Sequence, residues 1–305
     1  MPANFADRLM DAIREKNSRV CVGIDPVPES FPRHLQPDDG KWTNHGDVDQ
    51  KVYDATREFC WHIIEAVAGT AVAVKFNSAF FERLSSDGIG LLDTVLSDVE
   101  ESRLGLLTIL DAKRGDIGST ADAYARAVFR EYYGGFPDVP DAVTINPYLG
   151  TDGIQPFLEE ARRLGRGVFV LVRTSNPSAA EIQDLMTEDG KRVYRHVADL
   201  VSAWGEPHIG SSGYSLVGAV VGATWPEQLA ELRQAMPHTP FLVPGYGAQG
   251  GAAADVAGAF DADGLGAIVN SSRGIMYASD GEDFARVAAG AAVRMRDDIN
   301  RALGA

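Results

Sequence analysis

Leu106-Leu107-Thr108-Ile109-Leu110-Asp111-Ala112-Lys113-Arg114-Gly115-Asp116 is an apolar run of strand character that ends by delivering two carboxylates and an ammonium to one small region. Side chains alternate along a strand, so Asp111 and Lys113 point to the same side while the chain stays extended. Asp116 follows in a Gly-containing turn and is expected to join them. If this strand is one stave of a barrel, its C-terminal end is where chemistry is found. Taken alone, the D-x-K-x-x-D spacing is more often a solvated loop than a site, so the neighbouring segments decide.

Working outward, short runs of strand length alternate with longer stretches of helical apolar spacing. The predicted strands are 19–24, 71–76, 106–111, 142–145, 167–172, 215–221, 241–243 and 267–269. Between them, 47–68 repeats Val52, Ala55, Phe59 and Ile63 on one face, and 119–133 repeats Tyr124, Ala127 and Val128. Helical spacing also runs through 153–164, 193–204, 226–234 and 284–303. Near-continuous apolar strands suit a parallel sheet covered on both faces. Eight such units predict an α/β fold, a (β/α)8 TIM barrel, with a doubly wound open sheet as the alternative. No linker interrupts the alternation, so one domain is expected over 1–305. Insertions are placed at about 26–46 and 181–213, both on the mouth that holds a barrel's site.

Net charge of −15 argues against general affinity for nucleic acid or an anionic membrane. An anionic small ligand requires only a locally positive pocket. The two cysteines, Cys21 in a predicted strand and Cys60 in a predicted helix, suggest neither a disulfide framework nor a thiolate cluster, and fit a cytoplasmic protein. Asp7, Arg8, Asp11, Arg14 and Glu15 interrupt the first apolar stretch, which does not read as a signal peptide. No apolar run approaches a membrane span. The Asn270-Ser271-Ser272 sequon is read as chance.

Pro244-Gly245-Tyr246-Gly247-Ala248-Gln249-Gly250-Gly251 follows the seventh strand and Asn270-Ser271-Ser272-Arg273-Gly274 the eighth. In a barrel these two loops are a recurring phosphate site, bound by backbone N–H groups and an Arg. The first loop lacks the Lys-Ser/Thr ending of a Walker loop and does not open a Rossmann unit. Lys75 closes the second strand in Val74-Lys75-Phe76-Asn77, beside the Asp111/Lys113 strand, so the staves assemble an alternating Lys-Asp-Lys-Asp array. Asp25, on the neighbouring stave, is either a turn-starting Asp before Pro26 or an acceptor for sugar hydroxyls.

The array discriminates between chemistries. A Schiff-base lysine needs a depressed pKa, whereas carboxylates beside Lys113 hold it protonated, suiting it to donate a proton. The six histidines are scattered without ligand spacing, which leaves metal binding unsupported. Asp111 and Asp116 have the chemistry to hold Mg²⁺, but two ammonium groups compete for them.

Asp111-Ala112-Lys113-Arg114-Gly115-Asp116-Ile117-Gly118-Ser119-Thr120, with Lys75 upstream and the 244–251 loop and Arg273 downstream, resembles the orotidine 5′-phosphate decarboxylases, in the longer-chain subfamily. The likeness runs from Cys21 to Tyr277 in the family's order. It implies a cofactor-free, metal-free conversion of orotidine 5′-monophosphate to uridine 5′-monophosphate by a homodimer with shared active sites. By position, Lys113 resembles the acid that protonates carbon 6 of the pyrimidine, Asp111 the carboxylate set against the substrate carboxylate, and Lys75 the cation between ribose and array. Asp116, with Ile117 and Thr120, resembles the group that reaches into the partner subunit's site. Asp25 and Asn77 resemble ribose contacts. Ser175, within Arg173-Thr174-Ser175-Asn176-Pro177, resembles the pyrimidine-edge contact, with Thr174 beside it in the binding segment. Gln249 and Arg273 resemble the phosphate clamp. Ser272 departs from the pattern, since compact members carry Gly there. Two alternatives stand beside this reading: a Mg²⁺-dependent sugar-phosphate decarboxylase or aldolase of a related barrel, and a non-catalytic phosphate-ligand-binding dimer.

Overall fold

Eight short parallel strands close on one another in sequence order: β1 (Val20–Ile24), β2 (Ala73–Asn77), β3 (Leu107–Arg114), β4 (Ala142–Ile145), β5 (Gly167–Arg173), β6 (Val217–Val221), β7 (Phe241–Val243) and β8 (Ala267–Ser271). β8 pairs back onto β1 through Val20 and Val269, which makes the sheet a (β/α)8 barrel rather than an open one. A computed structural model describes residues 3–36, 50–129, 140–247 and 250–304. The expected strands are all present, most within two residues of their predicted ends.

Crossover helices cover the barrel, including Gln50–Val67, Ser85–Ser102, Thr151–Leu164, Val193–Gly205 and Phe284–Leu303. Their apolar faces pack on the strands, so the strand residues are buried on both sides as continuous apolar runs require. Ser85–Ser102 carries Gly88 and Gly90 among serines and aspartates, a composition that hid it from apolar spacing. Gly88 is needed there, because a Cβ would lie 2.0 Å from the carbonyl oxygen of Phe81.

A helix at Phe5–Lys16, capped by Asn4, closes the N-terminal end of the barrel. The Phe5 ring occupies the space a side chain at Gly167 would need and meets Phe169 edge-on at 5.8 Å. The Lys16 ammonium gathers the carbonyls of Ala68, Ala71 and Gly105 at 2.8–2.9 Å. With that end filled, the opposite mouth is the open face.

The residues after β1 form two 3-10 turns, Pro28–Ser30 and Arg33–Leu35; positions 37–46 of the expected 26–46 insertion lie outside the described residues. Within 181–213 the irregular part ends at Arg192, where a bridge from Met186 closes a hairpin. The remainder is the crossover helix Val193–Gly205 and a short bridged return from Ile209 to Ser215.

Candidate active site

A cavity of about 770 Å³ opens at the C-terminal mouth, lined from β2, β3, β5, β6, β7 and β8 and by Asp25 just beyond β1. On its floor, Asp111 is 8% exposed and Lys75 4%. Lys75 Nζ donates to Asp111 Oδ2 at 2.7 Å, and Lys113 Nζ to Asp111 Oδ1 at 2.7 Å. Burial alone raises the Asp111 pKa, but the two ammonium groups outweigh it and hold the carboxyl well below the usual range. For Lys75, burial acts downward, and Asp111 and Asp25 more than reverse it. The carboxylate is thus locked in its charged form between two cations.

Lys113 reaches that position through an irregular strand end. The β3–β4 register shifts between Leu110 and Arg114, and Lys113 takes a left-handed φ of 49°. For a non-glycine residue such a conformation costs on the order of 1 kcal/mol and is retained where the surroundings impose it. Thr144 on β4 imposes it here: its hydroxyl accepts from the Lys113 backbone N–H at 3.0 Å and donates to Asp111 Oδ1 at 2.8 Å. Sequence reasoning missed Thr144, which resembles any β-branched residue of a buried strand.

Asp116 does not join this cluster. Its Oδ1 instead accepts from the Ile117 backbone N–H at 2.8 Å, and the residue does not line the cavity. The turn through Gly115 packs against Asn146 and carries Asp116 away from its own mouth. Ile117, 56% exposed, and the exposed Thr120 follow it outward.

The remaining candidates converge from separate loops. Asp25 lines the cavity with Oδ1 buried and unpartnered among the described residues. Its backbone is set by Tyr277, whose hydroxyl donates to the Asp25 carbonyl at 3.1 Å and accepts from Val27 N–H at 2.7 Å. The Tyr277 ring stacks on Phe59, which stacks in turn on Phe31 and Phe284. Asn77 caps the next helix through Oδ1 and leaves its amide N–H groups to the cavity that it lines. Asn270 on β8 also lines it, with a buried, unpartnered Oδ1. Thr174 and Ser175 line the wall after β5, and the Thr174 hydroxyl is already bonded to Gln183 and Asn176.

At the rim, Arg273 starts a helical turn, Arg273–Met276, and is exposed with no partner among the described residues. Gly245 and Gly247, at φ of 101° and 72°, fold the preceding loop back so that Gly247 N–H meets the Gly251 carbonyl. Gln249 lies outside the described residues. The Ser272 side chain sits over Gly23, where a Cβ would lie 1.9 Å from its hydroxyl, so the β1 glycine is what accommodates this departure from the compact pattern. Among the described residues no group of three His, Cys, Asp or Glu side chains has metal-binding geometry.

A closed barrel with a buried Lys75–Asp111 ion pair, completed by the half-exposed Lys113, under a mouth that carries a free arginine defines a (β/α)8-barrel enzyme with a site suited to an anionic small molecule. The profile of the orotidine 5′-phosphate decarboxylase / HUMPS family matches residues 18–287, and the chain belongs to that family. A relative from Rhodopirellula baltica, named orotidine 5′-phosphate decarboxylase, is 47% identical over 92% of this chain and 90% of its own. The crystal structure of a putative orotidine 5′-phosphate decarboxylase from Streptomyces avermitilis superposes with a TM-score of 0.78 at 35% identity, covering 100% of this chain and 98% of that one. The orotidine monophosphate decarboxylase of Leishmania donovani does so with a TM-score of 0.75 at 34% identity, covering 99% and 100%.

Proposed function

We propose that this protein removes the carboxylate of orotidine 5′-monophosphate to give uridine 5′-monophosphate, the last step of de novo pyrimidine synthesis, without metal or cofactor. The observation that carries the reading is the Asp111 carboxylate held between Lys75 and Lys113 on the cavity floor. When the bond from carbon 6 to the carboxylate breaks, its electron pair stays on a ring carbon. An ammonium fixed beside that carbon stabilises the charge and then supplies the proton. Lys113 is assigned that role, since its ammonium is held against Asp111 at 2.7 Å and it lines the cavity.

Asp111 is assigned to face the substrate carboxylate. Two like charges about 4 Å apart repel by roughly 4 kcal/mol at an effective dielectric near 20, and departure of carbon dioxide relieves it. Lys75 balances Asp111 and lies within electrostatic reach of Asp25, which supports its assignment between ribose and array. Asp25, with its orphaned oxygen, and Asn77 take the ribose hydroxyls; Thr174 and Ser175 form the pyrimidine wall; Arg273 and Gln249 take the phosphate. Binding energy from that remote phosphate is available to hold the base against the array.

A homodimer with shared sites belongs to the same proposal. Asp116, Ile117 and Thr120 do not line their own cavity, and exposed apolar side chains stand on Ile117 at 56%, on Tyr124 of the helix Gly118–Phe129 at 39%, and on Tyr148 and Leu149 after β4 at 80% and 47%. Such a patch calls for a covering surface, and a second copy of the chain supplies one by symmetry. A cytoplasmic location is part of the proposal, supported by Cys21 and Cys60, which are free and buried, with burial pushing the Cys21 thiol up to about 12. Among the described residues no helix is long and apolar enough to cross a membrane.

Loss of absorbance on incubation with orotidine 5′-monophosphate, measured with and without EDTA, tests the reading. Turnover that survives chelation is expected. Turnover abolished by EDTA and restored by Mg²⁺ transfers the site to the metal-dependent sugar-phosphate alternative, and none in either condition leaves the non-catalytic ligand-binding dimer.

A further inference from the structure

The chain leaves β5 through Arg173, which is fully buried. Its guanidinium lies 4.2 Å from the centre of the Trp225 ring, pairs with Asp184 at 3.0 Å, and donates to Gln183 Oε1 at 3.3 Å and to the Thr174 carbonyl at 3.2 Å. A guanidinium so far from water is retained where several acceptors and an aromatic face meet it at once. Here they come from the 177–192 extension and from the loop after β6. Arg173 therefore ties two otherwise separate segments to the end of its own strand.

The tie closes on two residues. Gln183 Oε1 accepts from Thr174 N–H at 2.9 Å, and its Nε2 donates to the Thr174 hydroxyl at 2.9 Å. Trp225 Nε1 donates to the Thr174 carbonyl at 3.1 Å, and the Thr224 hydroxyl to the Ser175 carbonyl at 3.1 Å. Gly222 lets the next strand end approach so closely that a Cβ there would lie 2.7 Å from Ser175 Cα. Every polar group of Thr174 is thus engaged. The Ser175 hydroxyl, by contrast, lines the cavity with no partner among the described residues.

We propose that Gln183 and Trp225 are positioning residues for recognition of the base: they clamp the Thr174–Ser175 peptide so that the Ser175 hydroxyl is presented to the pyrimidine edge. The proposal rests on the assignment of Ser175 made above. It gives the extension after β5 a function in specificity, because Gln183 is part of it. A free hydroxyl on an unclamped loop would lose orientation on binding, whereas a clamped one has already lost it.

The test compares two ligands on the full-length protein: uridine 5′-monophosphate, and ribose 5-phosphate, which keeps sugar and phosphate but lacks the base. Gln183→Ala and Trp225→Phe are each expected to weaken the nucleotide about tenfold, the scale of one hydrogen bond, while ribose 5-phosphate stays within about twofold. Trp225→Phe keeps an aromatic ring for Arg173 while removing the indole N–H together with part of the ring system, so it remains informative if Gln183→Ala folds poorly. Ser175→Ala is expected to behave the same way, and the Ser175→Ala/Gln183→Ala double variant to be no weaker than Ser175→Ala alone. Losses that multiply in the double variant, or equal weakening of both ligands, overturn the clamp. A wild-type protein that does not prefer the nucleotide over ribose 5-phosphate overturns the assignment of Ser175 itself, and the clamp with it.

Discussion

The hydroxyl of Thr144 donates a 2.8 Å hydrogen bond to Oδ1 of Asp111, the oxygen that Lys113 also reaches. The same hydroxyl accepts from the Lys113 backbone N–H, so one side chain fixes the carboxylate and the left-handed turn that aims the ammonium. Thr144→Val keeps the shape and removes both bonds. It is expected to lower kcat by about one to two orders of magnitude, leave uridine 5′-monophosphate affinity within about threefold, and cost about 1–2 kcal/mol of stability. Thr144→Ser retains the hydroxyl and is expected to stay near wild type. Steady-state kinetics and urea denaturation check both; a valine variant with full kcat removes Thr144 from the site.

The ion pair on the cavity floor has a defined pH signature. Asp111 titrates in the folded protein below its ordinary value of 3.8, so its stabilisation is present above about pH 4 and is lost as pH falls through the depressed value. Lys75 titrates above its ordinary 10.5, so its contribution is present below that pH and is lost as pH rises through the raised value. The pair therefore stays charged from pH 5 to 9. Asp111→Asn leaves a buried ammonium facing Asp25 alone and is expected to cost about 3 kcal/mol. Denaturation curves of wild type and variant should keep a constant separation around neutral pH, begin to converge below pH 4, and narrow at alkaline pH, where the buried Lys75 left without Asp111 gives up its proton more readily. A separation that changes near neutrality contradicts the locked pair.

Strand positions were legible because runs such as Ala142–Ile145 and Phe241–Val243 are short, rich in apolar or β-branched residues and bounded by turn residues. Lys75 and Asp111 were legible for a related reason: a charge at the end of an apolar run has one place to go in a barrel. The route of the chain beyond Asp111 was not. Strict alternation predicts where Lys113 points, but the register shift before Arg114 and the turn at Gly115 depend on packing against β4 and the 146–153 segment. Asp116 was expected to join the cluster for want of that information. Thr144, Gln183 and Arg173 carry no local signal, because their partners are 33, 9 and 11 residues away in sequence.

Lys113 carries the chemistry in this reading, yet its side chain is 47% exposed and contributes little packing. Lys113→Ala is accordingly expected to remove turnover by at least about a thousandfold while changing thermal stability little. Uridine 5′-monophosphate should still bind, because the residues proposed for phosphate and ribose are others than Lys113. Single-turnover decarboxylation and calorimetric binding on the same preparation separate the two effects. A variant that retains near-wild-type turnover would assign the proton to another group.

Asp116 tests the shared site directly, since it sits outside its own cavity beside exposed Ile117. If its carboxylate completes the partner subunit's array, Asp116→Asn and Lys75→Ala proteins are each inactive alone but complement on mixing. In a mixed dimer, one site receives both substitutions and the other receives neither. Random exchange of equal amounts makes half the dimers mixed and so restores about a quarter of wild-type activity. The rise should follow the rate of subunit exchange and should vanish when the subunits are crosslinked before mixing. Two inactive proteins that stay inactive after verified exchange would confine each site to a single chain and leave Asp116 a capping residue for the Ile117 turn.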